Sequence, residues 1–237
     1  MTDLKNSFTL DEYEIKASLI PAVFTSVPFL LFHLFYLNNL FNHLFVDFVN
    51  ISKYITGISL PIIFIFCSMQ LNRFIGKIIF ENNIFNNEND FPTTQFLLLT
   101  NNEFSKDYKK KIRDKITSDF KIKLLNKNDE VNNFLEAKKI IIEVVGLIRN
   151  KVKKGRLLFI HNIQYGFFRN LIGGSIIAFL ISLFNIFIGI IYSDNKFLFY
   201  SIVCLVIYSL PIYTSKFTIK TLGKLYAKRL FREFLLY

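Results

Sequence analysis

The chain has 237 residues, 52% of them hydrophobic, and a formal net charge of +11. That length could hold one or two ordinary domains, but its charges are spread so unevenly that a purely soluble protein is excluded. Its two cysteines leave room for neither a disulfide framework nor a zinc site of CxxC spacing.

Four long windows contain no Asp, Glu, Lys or Arg: residues 17–46, 54–72, 170–193 and 197–215. A helix needs roughly 20 apolar residues to cross about 30 Å of hydrocarbon, and each window lies within or above that range. The expected fold is an all-α membrane protein: four transmembrane helices in two hairpins, with a mostly helical cytosolic unit inserted between them. Its segments are a cytosolic start (1–16), a first hairpin (17–80), the helical unit (81–160), a junction with the second hairpin (161–214) and a basic amphipathic tail (215–237). The many Phe, Ile, Lys and Asn residues are what AT-rich codons favour, so the Phe content alone marks no recognition surface.

The first sixteen residues carry Asp3, Asp11, Glu12 and Glu14 against Lys5 and Lys16. That is the reverse of a basic leader region, so the first span is expected to stay in the chain as an anchor. Pro21 and Pro28 should kink it. His33 lies well inside it, where a protonatable group is either functional or a hydrogen-bonding partner of a neighbouring helix. The first connection, 38–53, mixes polar and aromatic residues and suits the interface. The second span contains Pro61 and then continues through Arg73, Gly76 and Lys77 to about Phe80, with its basic residues at the headgroups.

Residues 81–92, rich in Asn and acids, are expected to be a loop. The short apolar run 93–100 fits a strand or a buried helical turn, and its length does not separate them. Phe104, Tyr108, Ile112, Ile116 and Phe120 then recur every fourth residue, predicting an amphipathic helix. Its basic face, Lys109, Lys110, Lys111, Arg113 and Lys115, is a candidate site for anionic partners: lipid headgroups first, then an anionic small molecule, with nucleic acid disfavoured. After a break at 126–130, a second helix over 131–151 should bury Phe134, Leu135, Ile141, Ile142, Val145 and Ile148. The tail alternates six basic residues with apolar ones, as in a helix lying on the membrane surface or against the central unit.

From Arg73 to Arg169 there are 19 basic and 11 acidic residues, and from Lys216 onward six and one; the two hairpin connections are neutral. Lys and Arg collect on the cytoplasmic side. The expected location is therefore a bacterial inner membrane, with both termini and the central unit cytoplasmic.

No window holds an ionised residue, which argues against a proton- or ion-coupled carrier. No nucleotide-binding glycine pattern occurs, no cofactor is implied, and His161 has no nucleophile or carboxylate constellation in sequence beside it, so an enzyme is not expected. Gly173 and Gly174 suit close helix packing. Thr25, His33, Ser68, Ser182, Asn185 and Ser209 would either line a pore or join helices, with His33 and Asn185 the leading intramembrane polar candidates. Ser59 to Ile62 (SLPI) recurs at Ser209 to Ile212, each followed by a Gly-Lys pair; duplicated hairpins or compositional chance would both produce this.

The segment 162–174, NIQYGFFRNLIGG, with Pro92-Thr93-Thr94 ahead of the central helices, resembles a pattern in a family of uncharacterised bacterial multi-span membrane proteins. The resemblance covers the middle third of the chain and implies no activity. Physically, Asn162, Tyr165, Gly166, Arg169 and Asn170 form a candidate coupling junction: Arg169 anchors at phosphates, Tyr165 at the interface, and Gly166 permits a bend. The leading functional expectation is a cytosol-sensing channel or membrane-perturbing effector, possible in a defence system and assembled as a homo-oligomer. The alternatives are a scaffold recruiting a cytosolic protein and a non-coupled transporter subunit.

Overall fold

A computed structural model describes residues 10–37, 50–153 and 155–237. The segment up to residue 9, expected to be cytosolic, and most of the first connection lie outside the described residues. Every regular element among the described residues is helical. Among the described residues, three helices are long and apolar enough to cross a membrane, and a bent pair raises the number to four if it is one span. The chain fits a membrane protein in this respect.

The bent pair is α1, Glu12–Thr25, and α2, Val27–Leu37, which meet at 41°. Asp11 caps α1 by accepting from the Glu14 amide at 2.6 Å. The break has a local cause. Pro28 cannot donate a backbone hydrogen bond, and the Thr25 and Ser26 hydroxyls donate to carbonyls one turn back, competing for acceptors within the ladder. Helix α3, Asn50–Ile75, continues through wider π-helical turns at Gly76–Glu81 into Asn82–Phe85. The expected loop thus begins only at Asn86, which with Asn87 adopts the left-handed conformation that Asn tolerates.

Short helix α4, Pro92–Leu97, resolves the strand-or-helix alternative: proline at its first position suits a helix start. Helix α5, Lys106–Phe120, is capped by Ser105 and ends at left-handed Lys121. Asn126 caps α6, Lys127–Asn132, through two backbone amides. Helix α7 spans Phe134–Val152, α8 Arg156–Ile191 and α9 Asn195–Leu236. Left-handed Ser193 and the Asp194 carboxylate, which accepts from the Phe197 amide, make the turn between α8 and α9.

The chain divides into two compact units, residues up to Phe80 with Gly166–Ser215, and Glu81–Tyr165 with Lys216–Tyr237. The first, the apolar-helix unit, is held by the packing of α1 on α3 and by polar contacts described below. The second, the helical unit, has an aliphatic and aromatic core. Ile112 and Ile116 of α5, Ile141, Val144 and Ile148 of α7, and Ala227, Leu230, Phe231 and Phe234 of α9 are all buried in it. Two sequence expectations change here. The tail is no separate segment but the uninterrupted continuation of α9, and of its two expected settings it occupies the central unit's core. Phe134 and Leu135 are exposed instead of buried, because α7 begins at Phe134 and its inward face is set one turn later, by Ala137 and Ile141.

Candidate functional site

Two sets of side chains stand out, one in each unit. In the apolar-helix unit the buried polar groups converge on α1 and α2. Asn72 of α3 donates to the Thr25 hydroxyl at 2.9 Å, and Arg73 donates to the Ser18 hydroxyl at 2.9 Å. Asn170 of α8, fully buried, donates to the Ala17 carbonyl at 2.6 Å and to Ser18 at 3.3 Å. Asn185 donates to the Pro28 carbonyl at 2.8 Å, and the Tyr208 hydroxyl donates to the Phe24 carbonyl. Where lipid is the solvent, such bonds and small residues join helices because burying apolar surface gains nothing.

Gly173 and Gly174 belong to the same seam. A Cβ on Gly173 would run into the Asn72 carbonyl oxygen and, at 2.5 Å, the Gly76 amide; one on Gly174 would overlap the Asn72 side chain. Both glycines therefore serve a contact between α8 and α3 of one chain. Ser182, expected as a pore-lining or helix-joining group, donates to the Ala178 carbonyl of its own helix. Among the described residues, buried His33 has no hydrogen-bond partner for its Nε2, and the same holds for Asn185 Oδ1.

The five junction residues lie along α8 on either side of the division between the two units. Asn162 and Tyr165 belong to the helical unit, where the Tyr165 hydroxyl donates to Glu81 at 2.7 Å and its ring meets Phe91 edge-on. Gly166, Arg169 and Asn170 belong to the apolar-helix unit. There a Cβ on Gly166 would approach the Tyr13 hydroxyl to 2.7 Å, and the Arg169 backbone crosses close over Gly76.

In the helical unit the basic face of α5 divides. Lys109 is buried and donates to the Leu98 and Asn101 carbonyls. Arg113 donates to the Leu97 carbonyl at 2.9 Å and to that of Leu125, and it lies 3.6 Å from Glu130. Leu97 and Leu98 end α4, where carbonyls have no intrahelical donor, so the two cations cap that helix. Glu130, also buried, accepts from the Leu99 amide at 2.6 Å and so holds the same segment from the other side. Burial pushes the Lys109 ammonium below its ordinary pKa. Burial likewise lowers that of Arg113, against the opposing pull of Glu130. Of the expected basic face, Lys110 and Lys111 stay exposed, and Lys115 lies over the Phe234 ring.

Beside them opens a cavity of about 450 Å³, lined by Lys106, Lys109, Lys110, Arg113 and Lys127, with Asp114 as its one carboxylate and Phe104 in the wall. Among the described residues, Lys106, Lys110 and Lys127 make no ion pair. Sequence reasoning missed Ser18, Asn72, Glu130 and Tyr208. Asn72 closes an uncharged window and could have been found as a lone amide at span depth. Glu130 gave no signal, since a buried acid in a polar connection looks like a solvated one. No family model, no curated protein and no solved structure matches the chain.

Proposed function

We propose that the chain is a bacterial inner-membrane protein that holds a cytoplasmic, non-catalytic binding unit at the bilayer, recruiting a cytosolic ligand or partner to the membrane. Both termini and the binding unit are placed on the cytoplasmic side, on the charge asymmetry. The observation that carries this reading is the make-up of α9. Its first half contains one of the long apolar windows, and its second half supplies Leu230, Phe231 and Phe234 to the core of the helical unit. A unit whose core is completed by such a helix is tethered by construction. Its cavity presents cations instead of a nucleophile with a base, which suits binding over catalysis. The polar groups of the apolar-helix unit serve as bonds between helices, which favours an anchor over a lined transport path.

The test is a chain ended at Ser215, beside the full chain, in membranes washed with alkaline carbonate and then digested. Both should remain in the membrane, and only the shortened one should lose protease resistance over residues 81–165. Equal resistance in both would refute the tethering.

A second reading, a cytosol-sensing channel or membrane-perturbing effector, draws on the bend at Ser26 and the π-helical turns at Ile15–Leu19, His33–Leu37 and Gly76–Glu81. Such turns often mark functional positions, and they lie on the elements that carry the polar seam. Induced expression read with a membrane-potential dye tests it: depolarisation that Arg169→Lys suppresses without loss of expression supports an effector, and unchanged potential removes it.

A further inference from the structure

Building on the binding-unit reading, we infer that the cavity beside α5 is a site for a phosphate-bearing solute, held by Lys106, Lys110 and Lys127 over a floor formed by Lys109 and Arg113. The argument begins with the floor. Lys109 is 3% exposed, and among the described residues its ammonium meets two backbone carbonyls but no carboxylate at ion-pair distance. Carbonyl dipoles satisfy hydrogen bonds without supplying countercharge, and a buried cation in that state is unfavourable. Arg113 shares Glu130, whose carboxylate is also engaged by the Leu99 and Thr100 amides. The rim adds three lysines that have no ion pair among the described residues, against a single carboxylate, Asp114.

Five cations against the carboxylates of Asp114 and Glu130 leave this small volume with an excess of positive charge, which favours an anion among them. Phosphate fits the requirement better than a carboxylate, because its several oxygens and greater charge can engage multiple ammonium groups at once. A volume of about 450 Å³ is within the range of small-molecule sites, roughly 300–1,000 Å³. Phe104 is fixed edge-on between Phe96 and Tyr108 and offers an apolar wall to whatever carries the phosphate. Two sources share this chemistry: a free phosphorylated solute and an anionic lipid headgroup.

Calorimetry on the full chain in nanodiscs separates them. In discs of phosphatidylcholine alone, inorganic pyrophosphate should bind saturably, once per chain. The Lys110→Gln/Lys127→Gln chain should bind it at least tenfold more weakly with unchanged thermal stability, since both side chains are exposed. Lys139→Gln/Lys153→Gln, at two exposed lysines outside the cavity lining, should leave affinity unaltered and so controls for the same loss of net charge. If phosphatidylglycerol in the discs displaces pyrophosphate from the wild-type chain but not from the double variant, the headgroup is a source of the same ligand chemistry. Absence of saturable pyrophosphate binding, or equal affinity in the double variant, overturns the site. Because carbonate extraction and protease resistance are separate measurements, tethering stands or falls independently of this result.

Discussion

The two units solve the same problem with opposite materials. In the helical unit the main core cluster is aliphatic and aromatic, with Lys109, Glu130 and Lys138 as the buried charges beside it. In the apolar-helix unit the interior is rich in Ser18, Thr25, Ser26, Asn72, Asn170, Ser175, Ser182, Asn185 and Ser201, with Gly173 and Gly174 at the tightest approach. Its exterior is the greasy part: Phe187 is 60% exposed, Ile190 62% and Phe74 62%. Soluble proteins seldom expose contiguous apolar surface of this kind. The inversion is what changing the solvent from water to lipid produces, since between apolar helices in hydrocarbon only close packing and hydrogen bonds remain to favour association. Both kinds of interior occur in one chain, and a single helix, α9, contributes to both.

If the difference is real, truncating a core aromatic should hurt most where water is the solvent. Phe231→Ala in the helical unit should cost about 3–5 kcal/mol, the range for emptying a buried aromatic site. Chemical denaturation of the detergent-solubilised chain, followed by protease resistance of residues 81–165, measures it. In the apolar-helix unit the sensitive positions are the smallest ones. Gly173→Leu should lower stability by about 3 kcal/mol, at the upper end for overpacking, because the obstructing atoms are backbone of Asn72 and Gly76 and cannot rotate away. Its readout is the melting temperature in detergent.

These sites also show what was legible beforehand. The long windows were evident because an uncharged apolar run of span length is rare in a helix that faces water. The core of α5 followed from apolar residues at every fourth position. The inward turn of Lys109 and Arg113 was hidden, since a run of lysines and arginines ordinarily signals a solvated face. The end of α4, whose last carbonyls lie beyond the helix's own donors, draws them in together with Glu130, and that proximity is tertiary. The continuity of α9 was hidden for a similar reason. The change in composition near Ser215 resembles a boundary, yet nothing in Ser215 or Lys216 interrupts a helix. The glycine pair was identified as a packing surface, but which helix it packs on required the fold.

Two smaller effects sharpen the contrast. Asn72→Leu removes an interhelical bond to Thr25 and also a buried Oδ1 that has no partner among the described residues. Interhelical bonds in membranes average about 0.6 kcal/mol, so the net loss should stay below about 1 kcal/mol in the same melting assay. In the helical unit, the Lys228 ammonium, 2.6 Å from Glu103, holds its carboxyl below the ordinary value of 4.5. A carboxyl whose folded pKa is depressed contributes stability above its unfolded pKa and loses it as pH falls through the folded one. A titration from neutral pH downward should therefore show a shallow fall in stability beginning near the ordinary carboxylate range, and Glu103→Gln should flatten it.

The central claim, that the two units face different solvents, is tested most directly by spin labels at Phe187 and Val206 in the first unit and at Lys139 in the second, with Cys67 and Cys204 replaced by alanine. Relaxation of each label by oxygen, which concentrates in hydrocarbon, is compared with relaxation by a water-soluble nickel chelate in reconstituted bilayers. The account predicts oxygen-dominated relaxation at 187 and 206 and nickel-dominated relaxation at 139. Nickel-dominated relaxation at all three positions would contradict it.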